Sequence, residues 1–175
     1  MRPREHRSST TDGLTSAFYL EITIMNHQNK ISNLLLIDDD PSMVRLLETV
    51  IGRSCGDKVA IESQVAPVVA RERLEEGVFD ILLTDLEMPD VDGIELLRFA
   101  KKRNASTQVL FLTGNSCHEA LLEALEQGAA DYLLKPVDHD LLKELVTQAY
   151  ERNQRWKQAL AETWRQRRQA AEVGA

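Results

Sequence analysis

Twice in this chain a short apolar run without polar alternation stops abruptly at aspartate. Leu34-Leu35-Leu36-Ile37 ends in Asp38-Asp39-Asp40, and Phe79 with Ile81-Leu82-Leu83 ends in Thr84-Asp85. A strand exposed on one face alternates apolar and polar residues, so an unbroken run implies burial on both faces, as in a parallel sheet covered by helices. Each run therefore delivers carboxylate at the C-terminal end of a buried strand. The continuations are alike too. Pro41 suits a first helical position with Asp40 as N-cap, and Met43, Leu46, Leu47, Val50 and Ile51 follow at helical spacing, with Gly52 and Gly56 expected to close the helix. After Asp85 come the turn formers Pro89, Asp90, Asp92 and Gly93, then Ile94, Leu96, Leu97 and Ala100 at helical spacing.

The rest of the chain repeats this alternation. Val59 and Ile61 suggest a second, shorter strand, and Val65 to Leu74 a weaker helix ending at Gly77, with Pro67 early enough to be tolerated. Gln108 to Thr113, followed by Gly114, reads as a fourth strand ending in a hydroxyl. A helix from Glu119 to Gln127 closes at Gly128. Asp131-Tyr132-Leu133-Leu134-Lys135-Pro136 reads as a fifth strand ending in a cation, after which Asp138 or Asp140 caps a last helix. Five strands alternating with five helices over short connections predict an α/β fold, a doubly wound five-stranded parallel sheet with helices on both faces. Ligands of such sheets bind outside the carboxyl ends of the strands. Asp38, Asp39, Asp85, Thr113 and Lys135 would converge there.

Charge narrows the chemistry. Residues 31–150 hold 22 acidic against 11 basic side chains, and the net charge of the chain is −7. An acidic body disfavours nucleic acid as partner, because phosphate backbones require clustered positive charge. Cys55 and Cys117 have neither metal spacing nor the number for a disulfide framework, which fits reduced thiols and a cytoplasmic location. No apolar run approaches the ~20 residues of a membrane span, so no membrane insertion is expected.

Three carboxylates at one sheet edge repel. Two unit charges about 4 Å apart cost roughly 4 kcal/mol at an effective dielectric of 20. Lys135 offsets one charge, and a hard divalent cation such as Mg²⁺, suited to all-oxygen ligands, would offset two. The neutralised site could then accept a phosphoryl group on Asp85, with Thr113 donating a hydrogen bond, Lys135 pairing with the new oxygens and Gly114 leaving its backbone N–H approachable.

Five motifs in order, LLLIDDDP, LLTDLEMPDVDG, LFLTG, ADYLLKP and its closing Lys-Pro, make residues 32–150 resemble the receiver domain of two-component response regulators. The resemblance implies a flavodoxin-like sheet of strand order 2-1-3-4-5. It implies Asp85 as phosphoacceptor and a metal ligand, Asp39 as direct ligand, Asp38 as ligand through water, and the backbone carbonyl of Glu87 as the third direct ligand of Mg²⁺. Thr113 and Tyr132 resemble the switch pair, in which the aromatic ring rotates inward. Lys135-Pro136 is usually a cis bond in this family. None of these positions is altered, which argues against a degenerate receiver. The implied partners are a histidine kinase or phosphotransfer protein and a downstream protein target. Turnover would be limited to slow self-hydrolysis, tuned at Glu87 and Asn115, so the chain is not expected to be an enzyme in the ordinary sense. An aspartate-nucleophile phosphatase would usually carry a second aspartate where Glu87 stands, and a phosphate-independent interaction module would ignore phosphate altogether.

Plainer roles suit other residues. Asp40 fits a helix cap, Asp90 and Asp92 fit loop formers, and His6, His27, His118 and His139 show no ligand spacing. Residues 1–31 read as a poorly ordered arm with an apolar patch from Phe18 to Ile24, residues 1–24 being dispensable before a start at Met25. The last helix should dock through Leu142, Leu145, Val146 and Ala149 and continue to about Ala170. The extension, residues 151–175, carries Trp156, Leu160 and Trp164 at i, i+4, i+8, an apolar strip that either folds against the domain or meets a partner, a second copy of the chain included, with partner docking or a homodimer the favoured reading. A strict heptad from Leu142 places Arg152, Ala159 and Thr163 in the seam, weak support for a regular coiled coil. About 25 residues are fewer than the roughly 50 of an independent domain, so output through protein contacts is expected.

Overall fold

The computed structural model describes residues 31–114 and 118–173. The N-terminal arm, with its Phe18 to Ile24 patch, and Asn115 and Cys117 lie outside the described residues. Five strands, β1 (Ser32–Ile37), β2 (Val59–Gln64), β3 (Ile81–Asp85), β4 (Gln108–Thr113) and β5 (Asp131–Leu134), alternate with α1 (Pro41–Cys55), α2 (Pro67–Glu76), α3 (Gly93–Arg103), α4 (His118–Glu126) and α5 (His139–Val173). The sheet is parallel throughout, in the order β2-β1-β3-β4-β5. This is the doubly wound, flavodoxin-like arrangement expected of the sequence, with the extended last helix present.

Alternate residues of the central strands feed two cores. Leu34, Leu36, Ile81, Leu83, Leu110 and Leu112 pack with Val44, Leu47 and Ile51 of α1 and with Leu142, Leu145, Val146 and Ala149 of α5. Leu35, Ile37, Leu82, Val109 and Phe111 face Ala70 and Leu74 of α2, Ile94, Leu96 and Leu97 of α3, and Ala124 of α4. Each such leucine, taken fully from water, contributes about 1.5–3 kcal/mol before entropy is set against it. Burial of β1, β3 and β4 on both faces thus explains why their sequences lack alternation.

Several local expectations are corrected. Gly52 does not close α1, which runs on to Cys55, because Ile51 and Cys55 are both buried and their packing outweighs the ~1 kcal/mol cost of one helical glycine. Leu46 lies on the outer face, 41% exposed. β2 is as long as β1, six residues paired from Ser32↔Val59 to Ile37↔Gln64. β5 stops at Leu134, before Lys135. Asp40 caps α1 by accepting the Ser42 N–H at 2.8 Å, Asp92 caps α3 by accepting the Glu95 N–H at 2.7 Å, and Asp138 accepts from Asp140 and Leu141 at the head of α5. Gly128, at φ 89°, takes the left-handed conformation that closes α4.

The chain divides into two compact units. Lys30–Trp156 contains the whole sheet; the described part of the other is Lys157–Val173. In the first unit Trp156 is exposed. In the second, Leu160 and Trp164 are half-buried, so the expected strip of exposed apolar residues is reduced to Trp156. No helix among the described residues is long and apolar enough to cross a membrane.

Candidate functional site

The parallel register brings the C-terminal ends of β1 and β3 side by side, Ile37 pairing with Thr84. The next residues are the carboxylates. Asp38 is fully buried, Asp85 is 6% exposed, and one carboxylate oxygen from each of Asp38, Asp39 and Asp85 lies within 4.8 Å of the others. Lys135, on the loop after β5, reaches across β4. Its Nζ donates to Asp38 Oδ2 at 2.7 Å and to Asp85 Oδ2 at 2.5 Å. Its backbone N–H donates to the Thr113 carbonyl at 2.8 Å, and the Lys135-Pro136 peptide is cis.

The three consecutive aspartates after β1 divide the work. Asp38 turns into the site and accepts the Asp40 N–H at 3.0 Å through its second oxygen; Asp39 is exposed at the rim; Asp40 serves the helix cap. Asp85 Oδ1 accepts the Glu87 N–H at 3.2 Å, which orients the carboxylate toward the rim while leaving the Glu87 side chain exposed. Asp90, at φ 70°, shapes the turn that returns the chain to α3.

Two residues behind Asp85 escape a reading of the sequence as strand and turn. The Thr84 hydroxyl, fully buried, donates to the Asp85 backbone carbonyl at 2.9 Å. Gly93 packs against the same carbonyl, where a Cβ would collide with the oxygen and stand 2.8 Å from the Phe111 ring. The sequence offers only a weak signal for Thr84, a lone hydroxyl next to last in a strand buried throughout.

Charge at the site is unbalanced. Burial pushes the Asp38 carboxyl above the ordinary aspartate value, against the opposing pull of the Lys135 hydrogen bond and the Asp40 N–H. Burial also works to lower the Lys135 ammonium, but the hydrogen bonds and charges of Asp38 and Asp85 outweigh it and hold the group above the ordinary lysine value. Three carboxylates against one ammonium leave two formal negative charges. An all-oxygen donor set this close together suits a hard divalent cation.

Thr113 ends β4, buried, with Gly114 exposed beside it. Tyr132 sits farther along the face, paired in register with Phe111 and 48% exposed. Its ring lines a groove of about 330 Å³ with Phe111, Leu121 and Leu125, between α4 and β5. The structure thus gathers Asp38, Asp39, Asp85 and Lys135 into one cluster, sets Thr113 and Gly114 on the neighbouring strand end, and keeps the Tyr132 ring outward.

The model of the response regulator receiver domain family matches residues 34–147. The chain belongs to that family. The receiver is 38% identical over 117 residues to the transcriptional regulatory protein ZraR of Klebsiella oxytoca, covering 67% of this chain and 26% of that protein. It is 37% identical over 115 residues to the response regulator protein PilR of Pseudomonas aeruginosa, covering 66% and 25%. The chain therefore spans about a quarter of the length of these curated relatives. Among solved structures, the receiver domain of the Francisella response regulator 1452 superposes with a TM-score of 0.60 at 28% identity, covering 69% of this chain and 98% of that one. Receivers of two-component systems work with histidine kinases and downstream effectors.

Proposed function

We propose that this receiver, within residues 32–150, takes a phosphoryl group from the phosphohistidine of a histidine kinase or phosphotransfer protein onto Asp85. The observation that carries the reading is the Asp85 carboxylate, 2.5 Å from Lys135 Nζ and within 4.8 Å of the Asp38 and Asp39 oxygens. Asp38, Asp39 and Asp85, with the backbone carbonyl of Glu87, would hold Mg²⁺, which when bound supplies the charge that lets an anionic donor approach three carboxylates.

A carboxylate oxygen of Asp85 forms the new O–P bond while the P–N bond to the donor imidazole breaks, the ring nitrogen keeping the electron pair. Lys135, already beside the Asp85 carboxylate, would pair with the incoming phosphoryl oxygens, an ammonium in place before charge develops on them. Thr113 donates its hydroxyl to the phosphoryl group, with the Gly114 N–H beside it. Tyr132 then has room to turn toward the strand end that Thr113 vacates, changing the α4–β5 surface that a downstream protein reads. Turnover beyond slow self-hydrolysis is not expected. Self-association through α5 would add a second output, and Trp156, 55% exposed, is the residue to alter in testing it by light scattering with and without phosphorylation.

Incubation with acetyl phosphate and Mg²⁺, followed by intact mass, tests the reading. One phosphoryl adduct, lost in Asp85→Asn and without chelated metal, is expected. Sustained phosphate release would point to a phosphatase, and a chain that takes no adduct would be a phosphate-independent module.

A further inference from the structure

The hydrogen-bond ladder between β1 and β3 ends at Ile37↔Thr84, one residue short of Asp85, because β1 turns away at Asp38 toward the α1 cap. On its other side Asp85 remains in register with Leu112 of β4, and the next amide, Leu86 N–H, donates to the Leu112 carbonyl at 2.9 Å. The peptide unit carrying Asp85 is thus held by strand pairing on one side only.

The open side is where Thr84 acts. Its hydroxyl donates to the Asp85 carbonyl at 2.9 Å, in a position with no exposure to solvent. Packing alone would be served as well by valine, which has the same branching and strand preference and needs no hydrogen-bond partner. Burying a hydroxyl is costly unless it is paired, so its presence here calls for a role that the hydrogen bond fulfils. Gly93 keeps room for the carbonyl on its other flank, where a Cβ would collide with the Asp85 oxygen.

Resting on the phosphoacceptor reading, we infer that Thr84 is a positioning residue for transfer: its hydroxyl, replacing the missing ladder bond to β1, fixes the peptide plane from which the Asp85 carboxylate is aimed. Aim matters because small misplacements of a reacting group lower rates steeply while leaving binding intact. The effect belongs in the maximal rate of phosphorylation rather than in the half-saturating donor concentration.

Thr84→Ser keeps the hydroxyl and loses the methyl; Thr84→Ala loses both; Thr84→Val keeps the shape without the hydroxyl. With acetyl phosphate and Mg²⁺, Thr84→Ser is expected within about twofold of the unaltered chain, and Thr84→Ala and Thr84→Val about tenfold slower at saturating donor, with half-saturation unchanged. A metal-free readout accompanies it: hydrogen exchange of the Leu86 amide, faster in Ala and Val and restored in Ser. If Val fails to fold, the Ser–Ala pair isolates the hydroxyl by itself. Equal rates and equal Leu86 protection in Ser and Ala would overturn the inference, as would a loss in all three that tracks thermal stability. Were the unaltered chain to take no phosphoryl group, the functional reading itself would fall and take the inference with it, whereas a phosphorylated chain indifferent to Thr84 would sink the inference alone.

Discussion

Asp80 and Asp85 stand at the two ends of β3, five positions apart, and are almost equally buried at 5% and 6% exposed. They do opposite things. At the N-terminal rim, Asp80 Oδ2 accepts the Asn33 N–H at 3.1 Å, and its backbone carbonyl accepts the Gln108 N–H at 2.8 Å and Asn153 Nδ2 at 3.5 Å. Around it, Asn153 Nδ2 also reaches the Ser106 carbonyl at 3.3 Å, the Thr107 hydroxyl donates to the Phe79 carbonyl, and Gln154 Nε2 donates to Ser32 Oγ. That rim is a knot of hydrogen bonds that ties α5 to the beginnings of the strands. At the C-terminal rim, Asp85 faces two further carboxylates and shares one ammonium with Asp38. A buried aspartate by itself therefore marks nothing. What separates structure from chemistry is whether the charge around it is balanced by the protein alone.

The contrast breaks most sharply if the two aspartates behave alike on substitution. Asp85→Asn is expected to abolish the phosphoryl adduct, whereas Asp80→Asn keeps it and lowers unfolding free energy by about 1–3 kcal/mol, read from urea denaturation. Next in size, Lys135→Met should slow adduct formation by roughly 10²–10³, the usual cost of removing a preorganised charge donor. Time-resolved intact mass checks it. The same substitution should lower the melting temperature without added cation, and Mg²⁺ should recover part of the loss.

A smaller effect belongs to the opposite rim. Asn153→Ala is expected to cost about 1–2 kcal/mol of stability while leaving Mg²⁺ affinity untouched, which urea titration and calorimetry measure together. The least effect is in pH. Because the folded Asp38 carboxyl is raised, chiefly by burial, its contribution to stability is present below the unfolded value and is lost as pH rises through the folded one. Cation binding needs the ionised form. Stabilisation by Mg²⁺ should therefore weaken on acidification before the ordinary aspartate value of 3.8 is reached, as melting temperatures with and without Mg²⁺ across mildly acidic buffers would show.

Much of the C-terminal rim was legible in the sequence and little of the N-terminal one. Leu34 to Ile37 and Ile81 to Leu83 announce buried strands because both faces are covered, and the carboxylates that follow must share an edge once the sheet is parallel. Asn153 gave no such signal, being a polar residue in a polar stretch whose partner carbonyl lies 73 positions earlier. Gly52 misleads because a glycine reads as a helix stop, although Ile51 and Cys55 carry their helix through it. Thr84 looked like the point where a strand stops being apolar, and only the ladder, ending one residue before Asp85, shows its hydroxyl in use.

Calorimetric titration with Mg²⁺ of the unaltered chain, Asp39→Asn and Asp80→Asn tests most directly whether one pole of the sheet is left short of positive charge. Binding of one ion per chain, strongly weakened in Asp39→Asn and retained in Asp80→Asn, is the predicted result. No binding in the unaltered chain, or binding lost equally in both variants, would contradict it.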